Sequence, residues 1–368
     1  MKKTVAIHVI PALWLICVAM LVKAQDTTTN KSRSQVLLTG FSGNIIAHSD
    51  TLRPIAHNRT NGMRFTLTHK VDGSRAWYRL YKMPDIGFSF IYIDLGENKV
   101  LGSAWGLQPV IAYPIINYQN FLVKTEMGLG LAYITQKYSE LTNHTNVAIS
   151  TSMNYWASVN IISTYRLTEH CNVTAGIETN HFSNGAIKKP NYGLNIIGIS
   201  IGFAYRIDGK AYGKQFQTAR SKAKPHLLLF VGAGIKETGP SGGMKYYPIS
   251  LSIDYHIPMT ELISFISGVD IMYDTSTHYH IELTGKHYSP INDDFQVGLK
   301  AGIVLPFNRL SLFGQLGAYL YNPNPRLPAL YQKLGLRYMI APRFQLQMEL
   351  KTHLNTADHV EMGMAIAI

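Results

Sequence analysis

The sequence predicts an all-β fold, an antiparallel transmembrane β-barrel of the outer-membrane type, and three observations predict it. Apolar and polar residues alternate with a period of two along most of the chain, which gives each strand one apolar and one polar face. Charged residues make up only 15% of the chain, against about 25% in average globular proteins. Beyond residue 24 no stretch stays apolar for the roughly 18 residues that a membrane helix needs. Together these disfavour a disordered chain and a helical membrane protein.

The first segment reads as a targeting signal. Lys2 and Lys3 precede an apolar run from Val5 to Val22, and Val22-Lys23-Ala24 carries the small residues of a cleavage site before the polar Gln25. A secretory signal peptide over 1–24 implies export, and with the fold it implies a bacterial outer membrane. Ile16 stands where a small residue would precede a lipidated Cys17, so a lipoprotein is excluded. Cleavage leaves Cys171 alone among cysteines, and hence no intramolecular disulfide. It also lowers the formal charge from +12 by the three lysines of the segment, to +9. For an exported chain that surplus favours an anionic lipid partner over nucleic acid.

The strands follow in order. Met127, Leu129, Leu131 and Tyr133 oppose Glu126, Gly128, Gly130 and Ala132. Ile249, Leu251, Ile253 and Tyr255 oppose Ser250, Ser252, Asp254 and His256. Phe295, Val297, Leu299, Ala301 and Ile303 face away from Gln296, Gly298, Lys300 and Gly302. Phe344, Leu346, Met348 and Leu350 alternate with Gln345, Gln347, Glu349 and Lys351, and the pattern recurs from Val360 to the terminal Ile368. Turn signals such as Gly96-Glu97-Asn98 and Asn322-Pro323-Asn324-Pro325 separate the runs. A soluble β-sandwich would also alternate. Strands near the 9–11 residues needed to cross a bilayer, and polar faces rich in Gly, Ser and Gln, favour the membrane barrel. About a dozen or more such strands can be counted, and no break in composition marks a second domain, so residues 25–368 are expected to form a single barrel.

One strand carries unusual chemistry at its end. From Cys171 to Ser183 the odd positions Val173, Ala175 and Ile177 are apolar, and they end in Thr179, His181 and Ser183. The next run puts Asn195 on the same face as Ile197, Ile199, Ile201 and Phe203. In a barrel the apolar face looks outward, so a hairpin over 184–194 would bring His181, Ser183 and Asn195 together at one membrane boundary. Polar residues also gather at strand ends simply because they meet water. A histidine two residues from a serine on one face, however, can take the hydroxyl proton and make a nucleophile. A third polar group can hold the imidazole in the needed tautomer. An esterase facing outward at that depth would act on a lipid ester.

His181-Phe182-Ser183-Asn184-Gly185, followed by Lys188-Lys189-Pro190-Asn191-Tyr192-Gly193-Leu194-Asn195, resembles the signature of the lipid A 3-O-deacylases, PagL-type outer-membrane esterases also described as acyloxyacyl hydrolases. The resemblance spans about residues 86–207. It implies a barrel hydrolase acting on an acyl ester of lipid A, the lipid anchor of lipopolysaccharide, without metal or cofactor. By position it makes Ser183 the nucleophile, His181 the general base, and Asn184 with the N–H groups around Gly185 the oxyanion hole. The family acid that orients the histidine aligns with Asn195, an amide that can accept the imidazole N–H but carries no charge. The family barrel has eight strands, and this chain is about twice as long as that requires, so either the barrel is wider, at about 12–14 strands, or the second half is a large elaboration; one wider barrel is the reading favoured.

Other candidates are weaker. Lys188 and Lys189 in the hairpin could meet lipid A phosphates or simply form a solvated turn, and Asn191 and Gly193 read as turn-shaping residues. Asp270, Asp274, His278 and His280 are too loosely spaced for a closed metal site. Parity sends Glu178, Lys351 and His353 inward. Two functions remain open: an outer-membrane lipid A deacylase, and a non-catalytic barrel, porin or structural, that retains the motif.

Overall fold

The computed structural model describes residues 31–211, 224–354 and 356–368, and the expected signal peptide lies outside them. The described residues form two compact units, Gly185–Lys189 being counted with the second. In the first, β1 (Lys31–Ile45), β2 (Arg59–Lys70), β3 (Asp85–Asp94), β4 (Ser103–Tyr118), β5 (Phe121–Ile134), β6 (Met153–Arg166), β7 (Cys171–Ser183) and β8 (Leu194–Ala211) pair in sequence order. β1 closes on β8, with Val36 opposite Tyr205. In the second, β9 (His226–Glu237) carries the two-residue β10 (Lys245–Tyr246) at one end. It pairs with β11 (Ile249–Pro258), which continues through β12 (Ser264–Tyr273), β13 (Phe295–Phe307), β14 (Leu310–Tyr321), β15 (Leu330–Ala341), β16 (Phe344–His353) and β17 (Thr356–Ala367). β17 returns to β9, with Val231 opposite Met364.

The fold is thus the antiparallel barrel that the alternation predicts, but its strands close as two eight-stranded rings, where a single barrel of 12–14 strands was expected over 25–368. Alternation states which face of a strand is apolar. It is silent on which distant strands meet, and that is what fixes ring size. No described helix is long and apolar enough to cross a membrane.

Each ring is apolar outside and polar inside. On the first, Leu38, Phe65, Phe88, Leu107, Leu131, Ile177 and Ile201 are exposed, while Arg64, Gln108, Glu126, Asn160 and Glu178 are buried within. Arg64 donates to Glu126 at 2.6 Å and to Glu178 at 2.8 Å, which offsets the several kcal/mol per ion that burying lone charges costs. Toward one end the interior turns apolar: Leu52, Ile55, Ile91, Ile93, Leu101, Ile134, Ile149, Trp156, Phe182 and Leu194 form one buried cluster.

The second ring holds a denser ionic interior. Lys300 lies 2.7 Å from Asp270 and 3.2 Å from Asp254. Lys333 lies 2.6 Å from Glu349 and 3.3 Å from both Asp270 and Glu361. Lys351 and His353 also point inward, the latter in a 2.8 Å hydrogen bond with the Tyr319 hydroxyl.

Candidate active site

β7 assigns its side chains by parity. Glu178, Asn180 and Phe182 are buried inside, and Ala175 and Ile177 are exposed outside. His181 and Ser183 share the outward parity of Ile177 but are shielded, Ser183 being only 8% exposed. The inward neighbours fix this end of the strand. Phe182 stacks on Trp156 with ring centroids 6.3 Å apart, and the Trp156 indole N–H donates to Asn180 Oδ1 at 2.9 Å. A buried indole with its donor satisfied is a rigid support.

The β7–β8 register sets His181 directly opposite Asn195. Asn195 Oδ1 can only accept, so His181 Nδ1 donates to it, at 2.6 Å. That tautomer leaves Nε2 as the free base of the ring. The other end of the Asn195 amide, Nδ2, donates to His48 Nδ1 at 3.2 Å. Barrel closure is what places His48. β1 runs along β8 until Ile46 N–H reaches the Asn195 carbonyl at 2.7 Å, and His48 lies two residues beyond.

The hairpin after Ser183 brings back a second asparagine. Asn191 Nδ2 donates to Ser183 Oγ at 2.9 Å, and its Oδ1 accepts from the Asn184 backbone N–H at 3.1 Å. Asn184 turns away, its own Nδ2 donating to Ser150 Oγ at 2.9 Å. The amide on Ser183 Oγ is therefore Asn191, read from sequence as a turn residue, whereas Asn184, expected with the N–H groups around Gly185 at an oxyanion, gives its Nδ2 to Ser150 and its N–H to Asn191. Gly193 N–H bonds the Ala148 carbonyl at 3.0 Å and holds the hairpin in place. Its φ of +74° suits glycine, and a Cβ there would come within 3.0 Å of the Phe182 carbonyl and 3.2 Å of the His181 ring.

The structure thus brings together His181, Ser183 and Asn195 and adds Asn191 and His48. Gly185 (φ +67°), Lys188 and Lys189 fall with the second unit. There Lys189 lines a cavity of about 350 Å³ with Lys236, His280, Arg326, His353 and Asp358. Burial, and then Lys236, lower the Lys189 pKa, and burial with the same cations pushes His280 down to about 4. The Asp270, Asp274, His278 and His280 set does not converge. Asp270 answers Lys300 and Lys333, Asp274 answers Lys236 at 2.5 Å, and His278 meets Glu282 at 2.7 Å.

An eight-stranded barrel with a serine and an amide-oriented imidazole on the outer parity of one strand has the parts of a hydrolase acting at a surface. The family comparison gives a hydrolase. Residues 61–204 match the family described as lipid A 3-O-deacylase (PagL), and residues 225–368 match the acyloxyacyl hydrolase C-terminal domain. The chain belongs to this lipid A deacylase family, whose two profiles between them take in most of both barrels. The resemblance expected over 86–207 therefore starts earlier, and a separate profile accounts for the second ring. A search of curated proteins found no match. Among solved structures the chain is similar to Neisserial surface protein A (9% identity, 50% of this chain and 99% of that one, TM-score 0.30). It is also similar to CdiB from Acinetobacter baumannii (10%, 93% and 61%, TM-score 0.21) and to a mutant of the Rh. blastica porin (9%, 91% and 100%, TM-score 0.21).

Proposed function

We propose that the chain is an outer-membrane esterase that hydrolyses an acyl ester of lipid A at the outer face of its first barrel. The observation that carries this reading is the pairing of two contacts at one strand end: His181 Nδ1 on Asn195 Oδ1 at 2.6 Å, and Asn191 Nδ2 on Ser183 Oγ at 2.9 Å. His181 Nε2 takes the Ser183 proton as Oγ attacks the ester carbonyl. The oxyanion that forms accepts from Asn191 Nδ2, already aimed at the attacking oxygen. Collapse expels the sugar hydroxyl, which receives its proton from His181, and leaves an acyl-serine. Water, deprotonated by His181, then releases the fatty acid and restores Ser183. The belt of Ile177, Ile199, Ile201 and Phe203, exposed on the same two strands, supports a lipid-side approach for the acyl chain. No step calls on a metal or cofactor.

Lipid A from cells expressing the wild-type protein should lose one acyl chain in the mass spectrum, and Ser183→Ala should abolish that loss. Identical spectra from both, each with every acyl chain in place, would overturn the reading in favour of a non-catalytic barrel.

A further inference from the structure

Resting on that reading, we infer that His48 is a positioning residue: it fixes which end of the Asn195 amide faces the catalytic imidazole. A carboxylate presents an acceptor whichever way it turns. An amide does not. If the Asn195 side chain rotated by half a turn, Nδ2–H would face His181 Nδ1, which could then only accept. The imidazole proton would move to Nε2, and the ring would lose its basic nitrogen on the side of Ser183. Something must therefore hold Oδ1 toward His181, and His48 Nδ1 does so by accepting Nδ2–H at 3.2 Å from the far side.

His48 is itself firmly placed. Behind it the backbone is tied to β8 through Ile46 N–H on the Asn195 carbonyl. Ahead of it Ser49 caps the 3-10 turn Asp50–Ile55, its Oγ accepting from Thr51 N–H, and that turn buries Leu52 and Ile55 in the apolar cluster. The backbone that carries His48 is thus anchored on both sides. The row His48, Asn195, His181 thus sets the imidazole tautomer that one acid would set alone.

The test is a cycle with Asn195→Asp, which keeps the side-chain shape and removes the amide polarity. His48→Ala should lower kcat about tenfold with KM little changed, because about nine-tenths of the population then takes the wrong tautomer. His48→Asp, whose carboxylate can only accept from Nδ2–H, should restore most of that loss. In the Asn195→Asp background the further change His48→Ala should cost less than about twofold, since no amide is left to orient. An equal loss in both backgrounds would reduce His48 to a structural role and overturn the inference. The 15N resonances of the His181 ring give a readout that needs no turnover. Nδ1 should be protonated in the wild type and mixed between the two nitrogens in His48→Ala. A ring unchanged by that substitution overturns the inference even if deacylation is confirmed. A tautomer shift in His48→Ala, beside a wild type that deacylates nothing, instead overturns the functional reading and leaves the inference standing.

Discussion

Inside the first barrel one guanidinium, Arg64, answers two carboxylates among hydroxyls and amides, and an apolar cluster fills the end where His181 and Ser183 stand. Inside the second, Lys300, Lys333 and Arg337 are threaded among Asp254, Asp270, Glu349 and Glu361. In the second unit the cationic side chains Lys189 and Arg326 also line an open cavity. The outer faces obey one rule, apolar at every second residue, so the outside of a barrel does not distinguish the two. The difference lies in what the interior holds still. In the first, a rigid aromatic pair beneath the strand end supports a polar group that points outward. In the second, the side chains answer one another across the bore.

That contrast can be broken most sharply in the second barrel. Lys333→Met leaves Glu349 and Glu361 buried without their shared cation and should cost about 3–5 kcal/mol of stability. The measurement is the thermal unfolding midpoint followed by the β-sheet circular dichroism band. A variant that melts with the wild type would show that the network contributes nothing. In the first barrel the predicted effect falls on turnover. Asn191→Asp keeps the acceptor for Asn184 N–H but replaces the donor at Ser183 Oγ with a negative oxygen. It should lower kcat at least about 100-fold, or roughly 2.7 kcal/mol, with KM little changed. A rise in KM alone would make Asn191 a substrate-binding group. The smallest effect sharpens the comparison with an acid-oriented site. Asn195→Glu should keep activity or raise it a few-fold, since a carboxylate also stabilises the imidazolium. Complete loss would remove Asn195 from the orienting role.

The parts of this site that were legible in the sequence are those that a local period reveals. His181, Ser183 and Asn195 could be set on one face because side chains alternate on any strand, whatever its partners. Glu178 could be sent inward on the same ground, and the structure finds it on Arg64. Asn191 was missed because a hairpin has no period, and an asparagine beside glycine reads as turn chemistry. Nothing local marked His48, since its place depends on β1 closing on β8 across most of the first barrel. Ring size was hidden for the same reason. The one sequence signal that could have divided the chain is the stretch from Asp208 to Lys224, where Gly209, Gly213 and five lysines or arginines interrupt the alternation.

The outward aim of the imidazole and hydroxyl depends on counting. A single residue inserted in β7 ahead of His181 would turn both groups into the bore, toward Arg64 and Trp156, and would turn Phe182 out of its apolar cluster. Two inserted residues would restore the arrangement one step of about 7 Å further along the strand. A lengthening of the strand therefore keeps both groups outward only in even increments, and the Ser183 oxygen shifts its position along the barrel with each one.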